Sequence, residues 1–541
     1  MVLVQASKLT LPTPSSLSSP PHTPTSLLFE PTSLSLALTH FDSSISLYPS
    51  FSTPSSSSSS SHFTLPSPQT LIPSPSSSST FLLLKSNSNP DSNSTPRVLF
   101  IVSGPHRSQI LLRFFLLNAK TNAFVPAGNV LCSQKDLRFE SNLGVLVNSK
   151  HGVSIKLAGS VNYFAMYSVS CAKVWVFAAK TDDGAPASGG GDEVVRLMRC
   201  AVIECSRPVW SVSISFGLLL LGEENGVRVF GLRRLVKGRV KKVRNSNTNL
   251  NSKLPNGVIA KHGEGKIGKH GVAVKQTNVK QNGGVCFVAL KGKEVEKKTI
   301  TKVSISIKVI SIQALSQRMF LILDSDGDLH LLCLSNSGIG VDITGHVRQL
   351  THTMKVQNLA VLPDVSTSIA ILAVVAMLIT SCIVGGAAEI AVGVVNICNK
   401  DAWECPHSSS CCFFLSRIVW ISDGCHSMHL FNATDVENAL NEADGSDGDE
   451  KLMHLPVNHV LFSSEKIQDV ICLASNSILV LGQGKWLYRL HVFLAYSVVV
   501  LLATETASLF IGGKLPVSDS DPPLRLEGVH NGGSLMYCST I

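Results

Sequence analysis

The sequence is short of the features that mark an enzyme, a zinc protein or a secreted disulfide scaffold. Charged residues make up 15% and aromatics 6% of its 541 positions, too little charge for helices with one solvated face each. None of the 14 cysteines forms a CxxC pair, which argues against a spaced zinc site or a disulfide framework and fits thiols in a reducing compartment. No serine occupies a GxSxG elbow, the strained turn that exposes a hydrolase nucleophile. No arginine precedes Arg97, and Pro12 and Pro14 interrupt the first apolar stretch, which excludes the core of a secretory signal.

The first 96 residues also hold few acids, only Glu30, Asp42 and Asp91, and they contain the seven-serine run Ser55 to Ser61. Such a Ser/Pro/Thr-rich tract buries too little apolar surface to offset chain entropy, so 1–96 is expected to be a disordered tail. Its many hydroxyls and few acids are like those of an organelle transit peptide, and the missing arginines count against one.

Beyond Arg97 the chain turns into short apolar runs separated by compact polar turns, the texture of an all-β repeat. Seven places carry it. Val98 to Val102 turns through Ser103-Gly104-Pro105 into Ile110 to Leu117, and Val145 to Val147 turns through Asn148-Ser149-Lys150 into Val153 to Leu157. Tyr163 to Ser168 leads to Val174 to Phe177, and Leu218 to Leu221 to Val227 to Phe230. Phe320 to Leu323 leads to Leu329 to Leu332, Ile418 to Ile421 to Ser427 to Phe431, and Val470 to Leu473 to Ile478 to Leu481. Two preceding strands are also legible, at Pro208 to Ser213 and at Val356 to Asp364, the latter with Gly345-His346 upstream.

This pattern resembles the strands of WD-repeat blades. The resemblance implies a β-propeller, with Val356 to Asp364 as an inner strand ending in a Pro-Asp turn. The chain departs from the family in having no Trp-Asp dipeptide, and Phe177, Phe230 and Phe431 stand where the repeat carries tryptophan. Setting aside two segments that break the pattern leaves about 272 residues, enough for about six to seven blades of roughly 40 to 45 residues. The expected architecture is therefore all-β: a propeller over 97–490, the tail 1–96, a basic flexible insertion 235–308, an apolar Cys-containing insertion 369–416 and an atypical C-terminal tail 491–541. An irregular β-sandwich with long loops is the alternative.

The formal net charge of +9 is concentrated in one place: Arg233 to Lys308 carries 19 Lys and Arg against Glu264, Glu294 and Glu296. Its densest part is Lys237, Arg239, Lys241, Lys242 and Arg244. Such a cluster suits an import signal or contact with a phosphate backbone through counterion release; the bland reading is a solvated charge run. Gly263 to His270 matches both GxGxxG and GxxxxGK, but His270 replaces the magnesium-binding hydroxyl and neither strand nor helix flanks it, so no phosphate loop is expected.

Residues 369–388 contain no charge and are long enough to span a bilayer, yet they interrupt the propeller pattern. Cys398, Cys405, Cys411, Cys412 and Cys425 with His407 and His426 lack the tight pairs that preorganise zinc. Asp324, Asp326 and Asp328 imitate a calcium loop, but Leu329 stands where that loop needs glycine, and a hairpin turn accounts for them. His330 and His429 alternate with strand residues and are expected to face solvent or fill an edge rather than act as bases. The acids from Asp435 to Glu450 read as a solvated loop. Asn93-Ser-Thr95 and Asn432-Ala-Thr434 match glycosylation acceptors but carry little weight without a secretory signal.

The functional expectation is a non-enzymatic scaffold for other proteins, nuclear or cytoplasmic, with no catalytic, cofactor or metal site. The alternatives are a membrane protein anchored by 369–388 and, with less behind it, a nucleic-acid-associated factor acting through the basic loop. A plastid location ranks below these.

Overall fold

The structure is a computed structural model. It describes residues 3–10, 23–51, 62–64, 68–85, 97–181, 194–237, 272–276, 285–290, 294–295, 303–304, 306–335, 343–361, 418–433, 453–454, 457, 459–474, 477–483, 487–493 and 538–539. Apart from the short helix Leu232–Lys237, the named elements are strands. They form seven sheets of four to six strands and one two-stranded ladder, the β-propeller expected from the repeated cassettes.

The strands are apolar on successive residues because each sheet is covered on both faces. In the sheet Ser211–Ser215, Leu218–Glu223, Gly226–Gly231 and Val285–Ala289, Leu219, Leu221 and Phe230 face one core. Leu220, Val227 and Val229 face the next. The neighbouring sheet divides likewise: Phe164 and Met166 join the core on one side, Ala165 and Tyr167 the core on the other.

The chain divides into two compact units. One comprises residues 42–46 and 69–351 and stacks four sheets through three shared cores. The other comprises 1–41, 47–68 and 352–541, and its sheets share two further cores.

Five of the seven cassettes are antiparallel hairpins, as read from sequence, with pairs such as Tyr163↔Ala178 and Leu219↔Phe230. The first is also a hairpin, but Ser103-Gly104-Pro105 continues the strand Arg97–His106 and the turn falls at Arg107-Ser108. The second is corrected: Gly144–Lys150 pairs with Gln109–Asn118, while Ile155–Gly159 pairs with Tyr163–Ser168 in the next sheet. A link between sheets can be as short as a hairpin turn, so spacing alone does not tell them apart.

The disordered tail is corrected in part. Pro24–Glu30 pairs with Ser35–His40, Ser78–Leu84 pairs with Arg97–His106, and Leu3–Thr10 pairs antiparallel with Leu487–Phe493. Leu36, Leu47 and Ile72 are fully buried. Averaged composition hides short alternations such as Leu36-Ala-Leu38, and serine here serves as a buried strand residue: Ser35 Oγ donates to the Pro49 carbonyl at 2.8 Å. The seven-serine run lies outside the described residues.

The basic insertion is corrected in the same way. Val285–Ala289 is the outer strand beside Gly226–Gly231, and Val272–Lys275 lies parallel to Val194–Glu204. Both are short alternations inside a Lys/Gly-rich segment. Val361 pairs with Val419, so the described strands that flank the apolar insertion lie side by side. A single membrane crossing would place them on opposite sides of a bilayer. Residues 362–417 are outside the described part.

Candidate functional site

The sites suggested by sequence are largely not brought together by the described structure. Lys237 ends the helix Leu232–Lys237, which buries Leu232 and Leu235; Arg239, Lys241, Lys242 and Arg244 lie outside the described residues, as do Gly263 to His270, 369–388 and, of the cysteines and histidines weighed as zinc ligands, all but Cys425 and His426. Cys425 is exposed, and the ring of His426 bonds the Ser463 carbonyl through Nδ1 at 3.1 Å. Among the described residues no three ligand-capable side chains converge as a metal site, and no helix is long and apolar enough to cross a membrane.

The Asp324 turn is structural. Its Oδ1 accepts the backbone N–H groups of Asp326 and Asp328 at 2.9 and 2.8 Å, its Oδ2 lies 2.8 Å from His330 Nε2, and Gly327 supplies the positive φ of 79° that glycine adopts without strain. His330 and His429 are buried, which corrects the solvent-facing expectation. Sequence hid the partner because Asp324 and His330 meet across the hairpin, six positions apart.

One sheet away, Arg228 donates to Glu223 through Nε at 2.5 Å and Nη2 at 3.0 Å, and stacks at 4.8 Å from the Phe287 ring centroid. Gln276 Nε2 donates to the same Glu223 at 2.9 Å. All three polar residues are buried, so the network serves as an internal clasp that fastens the strand Val272–Lys275 to the sheet.

Ser77 Oγ lies 2.7 Å from His151 Nε2, and His151 Nδ1 lies 3.1 Å from the Gly152 carbonyl. A nucleophile pair would need nearby donors for an oxyanion. The Ser77 and His151 N–H groups are instead spent on the carbonyls of Ser103 and Ser108, at 2.7 and 3.0 Å. The pair clamps loops.

A cleft of about 390 Å³ lies between two sheets of the same unit, lined by Asp136, Asn148, Ser149, Lys173, Trp175 and Arg199 among others. A β-bulge builds its floor. Val176 pairs with Ala201 and Phe177 with Arg199, leaving Cys200 as the extra residue. Gln134 fills the interrupted ladder, accepting from the Arg199 N–H at 3.1 Å and donating to its carbonyl at 3.2 Å. Arg199 is thereby aimed at Asp136, with which it forms an ion pair. Burial holds the guanidinium below the ordinary arginine range, and its Nε is buried without an acceptor.

At the lip, Lys173 pairs with Glu204 at 3.8 Å and Cys171 Sγ lies 3.2 Å from Ser149 Oγ. The lining thus combines a thiol, an ion pair and the indole of Trp175. Asp136 stands in the turn before Leu137–Glu140, Trp175 on Lys173–Thr181 and Arg199 on Val194–Glu204, and no local motif announces them.

No family model matches the chain, and no curated protein matches it. Among solved structures, the Cps50 (Swd1) β-propeller domain of Myceliophteria thermophila superposes with a TM-score of 0.37 at 8% identity, covering 88% of this chain and 98% of that one. A chain of a humanized mutant of Chaetomium thermophilum Polycomb Repressive Complex 2, bound to the inhibitor GSK126, gives a TM-score of 0.42 at 8% identity, covering 91% and 97%. Likenesses this distant carry no argument about function. The pairing and stacking of its own sheets make the chain a β-propeller.

Proposed function

We propose that the protein is a non-enzymatic scaffold that presents clefts and loops of the propeller to partner proteins. The observation that carries this reading is the cleft around Asp136 and Arg199, about 390 Å³ in volume and lined by charged, polar and aromatic side chains. Sheets buried on both faces supply a stiff frame on which exposed connections can vary. In this reading the protein belongs in the nuclear or cytoplasmic fraction.

The test is affinity purification of the full chain beside Ser149→Arg, which fills the cleft from its rim. Loss of specific partners from the variant is expected; an identical partner set would remove the cleft from the account. Carbonate extraction of the same tagged chain is expected to release it, and retention in the pellet would favour the anchor at 369–388.

A further inference from the structure

Lys156, Trp210 and Lys308 stand at the starts of three successive inner strands of one unit, Ile155–Gly159, Ser211–Ser215 and Val309–Ala314. The Lys156 ammonium donates to the Trp210 carbonyl. From the next strand, Lys308 Nζ sits 4.4 Å from the centroid of the Trp210 ring, a cation–π contact. One ammonium thus lies over a half-buried indole while a second holds the backbone carbonyl of the same residue. Exposed Arg207 lies three residues earlier in the same linker.

Among the described residues no carboxylate is ion-paired with either lysine of this cluster. Glu224 bridges Lys308 through the backbone alone. The carboxylate of Asp324, in the turn that follows, is committed to its own turn and to His330. Burial pulls the Lys156 ammonium below the ordinary lysine range. An anion arriving here would meet two ammonium groups and an aromatic face, with little solvation left to displace at Lys156.

We propose that the Lys156–Trp210–Lys308 cluster is a docking site for an acidic peptide segment of a partner protein. This rests on the scaffold reading and names the chemistry of one partner. A peptide fits better than a nucleic acid because the cations are two point charges at a single tryptophan. A polynucleotide needs a longer basic track with several stacking surfaces.

The test measures binding of a fluorescent Glu-rich peptide to the full-length protein by anisotropy, with a Gln-rich peptide and a single-stranded oligonucleotide of equal charge as controls. The native protein is expected to bind the acidic peptide, more weakly as salt rises, and to bind the Gln-rich peptide at least tenfold less tightly. Lys156→Met/Lys308→Met is expected to lose at least tenfold in affinity, and Lys308→Arg to retain it. Because Lys156 also pins a linker, Lys308→Met alone serves as the second variant should the double one unfold; it is expected to lose at least threefold. Equal binding by native and variant proteins would overturn the proposal, as would preference for the oligonucleotide. If affinity purification still recovers partners while the cluster variants bind the peptide unchanged, the scaffold stands and the docking site falls.

Discussion

Asp469 and Leu27 are 442 positions apart, yet the Asp469 carboxylate accepts the Leu27 backbone N–H at 2.8 Å. The contact ties the strand Ile467–Ala474 to Pro24–Glu30, and so binds a late cassette to a segment whose composition suggests a tail.

That carboxyl is expected to make stability pH-dependent in an unusual direction. Burial pushes the Asp469 pKa up from 3.8 to about 6, so the folded state holds its proton more tightly than the unfolded chain. The contribution is full below pH 4 and is lost as pH rises through about 6, on the order of 2 kcal/mol. Denaturant melts of native protein and Asp469→Asn between pH 4 and 7.5 should show the difference between them shrinking for the native form as pH rises. A difference independent of pH would refute it.

The Arg228–Glu223 pair should be costly to break and cheap to replace. Arg228→Met leaves Glu223 buried without its partner, and is expected to cost about 3–5 kcal/mol. Arg228→Met/Glu223→Met removes both charges and should recover much of that. The double-mutant cycle by chemical denaturation reads the coupling directly; additive losses would contradict it.

Phe177 is fully buried and stacks on Phe164 at 4.8 Å between centroids. Phe177→Ala is expected to cost about 3–5 kcal/mol. Phe177→Trp should also destabilise, by about 1–3 kcal/mol, because a larger ring must enter a fully buried site. Thermal unfolding checks both, and a Trp variant of raised Tm would show unfilled space.

Phe216 occupies the left-handed region at φ 51° beside Gly217 at φ 74°, in the two-residue turn between Ser211–Ser215 and Leu218–Glu223. Asn-Gly is the pair that such turns favour. Phe216→Asn is expected to add about 1 kcal/mol of stability, read by the shift in denaturant midpoint; a loss would mean that the half-exposed ring contributes packing.

Removing 1–96, harmless for a disordered tail, is expected to yield insoluble chain. Truncation takes away the partners of Leu487–Phe493 and Arg97–His106 and uncovers their edges. Soluble, cooperatively melting truncated protein would show those strands to be dispensable.

The residues themselves determined the all-β class and most hairpins, because Tyr163 to Phe177 and Leu218 to Phe230 carry apolar runs and a turn within a dozen or so positions, and antiparallel pairing at short range follows from that local pattern. Three things were decided only by tertiary structure. Leu3–Thr10 becomes a strand through pairing with a segment nearly 500 positions away. Val147 and Ile155 part into different sheets although the intervening turn looks like a hairpin's. The cleft and the lysine-flanked indole assemble from strands that no spacing relates. Each depends on which faces stack, and stacking follows from burial summed over whole sheets, a quantity that no short window of sequence contains.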